Sequence, residues 1–249
     1  MADTVRKGLR RRGWELRRTD PDRSLDEHLW FVFPYLGVNC VLDVGAGTGE
    51  YGAFLRQNGY TGHIFSFEPI EERFQILASR CELDPKWSAY QFAIGSENST
   101  ATINVMRNSG YSSFLRPTEH SQATFPGCAV ERTEAVDVGR LDEVVPGLTE
   151  RLAAPRLFLK TNVQGYDLEV LRGAERCLER VVGLHTELAL HPIYKGAAGL
   201  AEAISAYEDA GFAVSGVFDR PHHHEFRLAE LDCVMLRAPA QATGVIRRW

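Results

Sequence analysis

Short apolar runs alternate with amphipathic segments along most of this chain, and that alternation is the first thing it specifies. Apolar or alternating runs at 40–44, 62–67, 88–93, 100–106, 134–138, 156–161, 181–188, 212–218 and 232–237 read as strands. Helical spacing appears at 71–82, with Phe74, Leu77 and Ala78 facing inward, and again at 167–178 and 200–210. Strand-helix alternation predicts an α/β fold, doubly wound, with a mostly parallel sheet and helices on both faces. The last two strands have no helix between them, which predicts an antiparallel hairpin at the sheet edge. Residues 25–33 also have helical spacing and are expected to cap the sheet, with Pro34 limiting their continuation. Residues 107–133 are rich in Ser, Gly, Pro and Thr without clear periodicity, the mark of a long loop with a functional role or mobility.

Composition narrows the class without changing this picture. A chain of 249 residues suits one α/β domain with appendages: a helical cap over 1–39 and a ligand-binding domain over 40–249. Hydrophobic content of 44% and charged content of 24% are ordinary for a globular protein, and the net charge of -5 gives no general attraction to nucleic acid. Arg6, Lys7, Arg10, Arg11 and Arg12 form a basic cluster, read as a solvated face; its alternative is an RNA-directed arm. Five scattered cysteines without a C-x-x-C pair argue against a disulfide framework or zinc cluster and for a reducing cytoplasm. No apolar run is long enough to span a bilayer, so no membrane partner is expected. Homo-oligomerisation is left open.

The chemistry centres on Cys40-Val41-Leu42-Asp43-Val44-Gly45-Ala46-Gly47-Thr48-Gly49-Glu50-Tyr51-Gly52, a buried strand, a glycine turn and a helix start. Gly47-Thr48-Gly49-Glu50-Tyr51-Gly52 matches the dinucleotide fingerprint, which keeps a nicotinamide-dependent oxidoreductase as an alternative. Asp43 points elsewhere, because a buried carboxylate needs a partner. The ammonium of an amino-acid-bearing cofactor such as S-adenosylmethionine would supply one. A second apolar run ends in Phe67-Glu68-Pro69, about 20 residues past the glycines, where a carboxylate accepts ribose hydroxyls in either cofactor class.

The longest signature lies further on. Leu159-Lys160-Thr161-Asn162-Val163-Gln164-Gly165-Tyr166-Asp167-Leu168-Glu169-Val170-Leu171-Arg172-Gly173-Ala174, with the Asp43 turn, Phe67-Glu68-Pro69 and Ala93-Ile94-Gly95, resembles the FkbM family of S-adenosylmethionine-dependent methyltransferases. Glu187 and Tyr194-Lys195-Gly196 are similar to a further family segment. The resemblance covers roughly residues 40–237. It implies a class I methyltransferase (Rossmann-like) fold with a seven-stranded sheet. It also implies O-methylation of a hydroxyl on a small molecule, typically a natural product or sugar. By the same resemblance the donor is held by Asp43, Gly45, Ala46, Gly47, Gly49, Tyr51, Glu68, Pro69, Ala93, Ile94, Asn162 and Gln164. Asn162 stands where the family usually has aspartate, and an amide cannot take a proton near neutral pH.

Ligands of open α/β sheets lie beyond the carboxyl ends of the strands. That places Asn162, Glu187 and His191 as catalytic candidates around the methyl group. His191 has the more suitable ordinary pKa, and Glu187 is the family-matched carboxylate. Lys160 reads as structural or cofactor-adjacent. His222-His223-His224-Glu225 reads as a polar loop and not a metal site, since adjacent strand side chains alternate. No metal is expected.

Overall fold

The protein was described by a computed structural model covering residues 24–191, 193–219 and 229–238, the side chain of Pro126 excepted. The basic cluster before residue 24 and the histidine run at 222–224 lie outside the described residues. Strand β1 (Cys40–Val44) is buried at all five positions because the sheet is covered on both faces. It pairs in parallel with β2 (His63–Phe67) on one side and β7 (Leu157–Thr161) on the other. The sheet extends through β3 (Trp87–Tyr90) at one edge, and through β8 (Val181–Ala189), β10 (Glu230–Arg237) and β9 (Phe212–Asp219) at the other. Its order is β3-β2-β1-β7-β8-β10-β9. The last strand, β10, slots antiparallel between β8 and β9. Strand order reverses between β1 and β7, and that switch point opens a crevice at the strand ends.

One face carries α1 (Leu25–Leu36), α2 (Glu50–Gln57) and α3 (Glu71–Cys81), whose Leu29, Phe33, Leu55 and Leu77 pack with Val41, Ile64 and Phe158. The other carries α5 (Leu141–Thr149), α6 (Asp167–Arg172) and α7 (Leu200–Asp209), whose Val145, Val170 and Tyr207 pack with Leu42, Val44 and Leu159. Pro34 does not stop α1, which runs to Leu36 and ends where Gly37 turns left-handed.

Three expectations need correction. The run at 88–93 is two strands: β3 stops at Tyr90, and β4 (Ala93–Ile94) joins a separate sheet with β6 (Val130–Gly139) and β5 (Ser99–Met106), in order β4-β6-β5. The stretch 107–133 is more than a loop. It holds a 3₁₀ turn at Ser109–Tyr111, helix α4 (Glu119–Thr124) and the first residues of β6. The helix expected over 167–178 breaks after Arg172 and resumes as a 3₁₀ turn, Cys177–Arg180.

Candidate active site

The glycine turn is built against the strands beside it. Gly45, Gly47 and Gly49 all have positive φ, and the amides of Gly45 and Ala46 both donate to the Phe67 carbonyl at 3.0 Å. A Cβ on Gly45 would stand 2.1 Å from the Asn162 carbonyl oxygen, so only glycine fits between β1 and the end of β7. Asp43 lies beneath this turn, fully buried. The amino group it receives is the chain's own: Lys160 Nζ lies 2.8 Å from Asp43 Oδ1 and also donates to the Gly45 carbonyl at 3.0 Å. Ser66 Oγ donates to the other carboxylate oxygen at 3.0 Å and accepts from Trp87 Nε1 at 2.9 Å. Asp43 and Lys160 therefore brace the turn from below.

Glu68 ends β2 almost fully buried. Its carboxylate accepts from the Gly47 amide at 2.8 Å and the Ile70 amide at 3.1 Å. Burial pushes its carboxyl above the ordinary range, against the pull of nearby Arg73 and of those two amides. Around Glu68 lies a cavity of about 260 Å³, with Pro69, Ile70, Ala93, Ile94 and Ile103 as its apolar wall. A second cavity of about 270 Å³ lies on the other side of the turn, against Tyr51, Lys160, His185 and Asp232. Gly45, Arg73, Asn162 and Glu187 line both, so the two meet at the ends of β1, β7 and β8.

That junction holds a hydrogen-bonded cluster. Asn162 Nδ2 donates to Glu187 Oε1 at 2.8 Å, and Gln164 Nε2 reaches Asn162 Oδ1 at 2.7 Å and Glu187 Oε2 at 3.2 Å. Tyr194 Oη lies 2.7 Å from both Gln164 Oε1 and the Tyr111 carbonyl, sharing its one proton between them. Ser113 Oγ donates to the Gln164 carbonyl at 2.7 Å, which ties the 107–114 segment to the end of β7. Asn162, Gln164 and Glu187 are thus brought together. His191 is not: it is exposed and lines neither cavity. Sequence reasoning missed Arg73, His185, Asp232 and Tyr111 as parts of the cleft. The available signal was a titratable residue inside an apolar strand, as at His185 and Asp232.

With this geometry established, the Methyltransferase FkbM domain matches residues 43–214, from the buried Asp43 into β9, the edge strand of the sheet. The chain belongs to the FkbM methyltransferase family. That membership removes the oxidoreductase alternative and fits the class I strand order. No curated protein matches this FkbM methyltransferase. Solved structures are similar to it at low identity. A putative RNA methyltransferase, PH1948 from Pyrococcus horikoshii, is 13% identical, over 86% of this chain and 84% of that one, at a TM-score of 0.43. Magnesium protoporphyrin IX methyltransferase of Synechocystis PCC 6803, solved with bound SAM, is 10% identical over 86% and 79%, at 0.44. Aeropyrum pernix fibrillarin, solved with S-adenosyl-L-methionine, is 10% identical over 92% and 73%, also at 0.44. No described helix of the FkbM methyltransferase is long and apolar enough to cross a membrane.

Proposed function

We propose that this FkbM methyltransferase transfers a methyl group from S-adenosylmethionine to a hydroxyl of a small molecule, a natural product or sugar. Two features of the cleft support that donor: Glu68 ends β2 at the cavity as an acceptor for ribose hydroxyls, and Pro69, Ile70, Ala93 and Ile94 supply an apolar wall for a base. When bound, the donor supplies an electrophilic methyl on a sulfonium, whose charge is neutralised by transfer. Positioning then accounts for much of the rate. Asn162 and Gln164 hold the Glu187 carboxylate where the two cavities join, and Glu187 takes the proton of the acceptor hydroxyl. Asn162 cannot act as the base, and in this site it orients the group that does.

The observation that carries the reading is Glu187 under two amide donors at the junction. Glu187→Gln keeps the shape of the side chain and removes its proton-accepting charge. It is expected to slow turnover by ~10²–10⁴-fold while binding S-adenosylhomocysteine as the wild type does. The acceptor itself is found by incubating the enzyme with small-molecule extracts and following the gain of one CH₂ by mass spectrometry. Undiminished turnover in the Gln variant would remove Glu187 from the chemistry.

A further inference from the structure

Gln164 is held in a backbone conformation that its side chain disfavours. Its φ is 54°, in the left-handed region, and among the described residues only Ala154 shares that departure outside glycine. Such a residue persists where its surroundings over-determine it. Here they act on both its backbone and its side chain. Ser113 Oγ donates to the Gln164 carbonyl at 2.7 Å, and Tyr194 Oη donates to Oε1 at the same distance. Tyr194 is itself anchored, buried in a cluster with Met106, Cys128 and Ile193. Its neighbours bind the 116–118 stretch: the Lys195 amide donates to the Arg116 carbonyl at 2.8 Å, and the Ile193 carbonyl accepts from the Thr118 amide at 2.9 Å.

Chemistry sets the direction of each bond in this chain. An ionised Glu187 only accepts, so Gln164 turns Nε2 toward it, 3.2 Å from Oε2. Oε1 then faces Tyr194 and needs a donor. Burial pushes the Tyr194 phenol well above its ordinary range, so Oη keeps its proton. The Tyr111 carbonyl competes for that proton, also from 2.7 Å. Without the hydroxyl the amide loses its lock, and its rotation sets Oε1 against the carboxylate, acceptor against acceptor. We propose that Tyr194 is a positioning residue for Glu187. Through Gln164 it keeps an N–H donor on the carboxylate, and so keeps that group ionised and ready for the acceptor's proton. The proposal rests on Glu187 as the base and adds the residue that holds it in its working state. One hydroxyl thus joins the 107–114 wall of the cleft to the state of the base.

NMR titration of the full chain with isotope-labelled glutamate carboxyls tests this without donor or acceptor. The Glu187 signal is identified by its absence from Glu187→Gln. Tyr194→Phe keeps the packed ring and is expected to raise the proton affinity of Glu187 about tenfold. Gln164→Met is expected to do the same, and adding Tyr194→Phe to it should shift Glu187 no further. Charged groups also face Glu187 from Glu68, Arg73 and Glu230 in one cavity and from Glu50, Lys160, His185 and Asp232 in the other. Both substitutions leave them in place, so the comparison of single and double variants cancels their contribution. An unchanged Glu187 in Tyr194→Phe, or an equal further shift in the Gln164→Met background, would overturn the proposal. Where Tyr194→Phe fails to fold, Gln164→Met decides: a raised affinity supports the proposal and an unshifted Glu187 overturns it. Turnover of Glu187→Gln separately decides whether the positioned carboxylate is the base.

Discussion

Ser66, Asp43, Lys160 and His185 stand in register on β2, β1, β7 and β8, so the four share one face of the sheet directly beneath the glycine turn. Asp43 is the most constrained of them, because its charge is fully buried and its cationic partner comes from a strand 117 residues away in sequence. Removing one member of such a pair leaves an uncompensated charge. Lys160→Met is therefore expected to destabilise the fold by about 3–5 kcal/mol, measured by urea unfolding. Adding Asp43→Asn to that variant should recover part of the loss. A cost under about 1 kcal/mol would mean that Asp43 is satisfied by Ser66 and water alone. At this scale the sequence makes Asp43 and Glu68 conspicuous, since each is a carboxylate in or ending an apolar run. It does not show that Lys160, and not a ligand, neutralises Asp43. Nor does it show that His191 faces solvent, because a loop side chain takes its direction from packing.

Among the elements, the stretch expected as one helix over 167–178 shows how a periodic pattern can be met by two pieces. Val170, Leu171, Ala174, Cys177 and Leu178 are all buried, as a continuous helix would require. The helix nevertheless ends at Arg172, and its capping Gly173 lies so close to Gly95 that a Cβ would stand 2.0 Å from its carbonyl oxygen. Gly173→Ala must push α6 away from the end of β4. It should cost about 1–3 kcal/mol, read from the thermal or urea midpoint. The contact brings Ala93-Ile94-Gly95 against the Gly173-Ala174 end of the long signature. Their spatial meeting is invisible in a sequence that places them at 95 and 173. Residues 107–133 were illegible for a related reason. Their short 3₁₀ and α turns are stabilised by distant partners, such as Tyr194 with Tyr111 and Ser113 with Gln164.

On the scale of the whole molecule, the seven-stranded sheet supplies a rigid floor, and the three-stranded sheet with the 107–114 segment walls off one side of the cleft. A ligand that touches both sheets and the glycine turn stabilises the folded state alone. At a hundredfold excess over its Kd, S-adenosylhomocysteine should raise the midpoint of thermal unfolding by about 5–10 °C, and NAD should leave it unchanged. A shift with NAD and none with S-adenosylhomocysteine would reverse the assignment of the turn. The sequence by itself determined the strand-helix alternation, the antiparallel ending of the sheet, the glycine turn with its two acidic strand ends, and the family. Each of these is written in residues close together along the chain, as period, spacing or a contiguous signature. Only the tertiary structure decided which charges neutralise one another and that Asn162, Gln164 and Glu187 converge. Those outcomes depend on the register of strands brought together from distant parts of the chain, and no local pattern encodes that register.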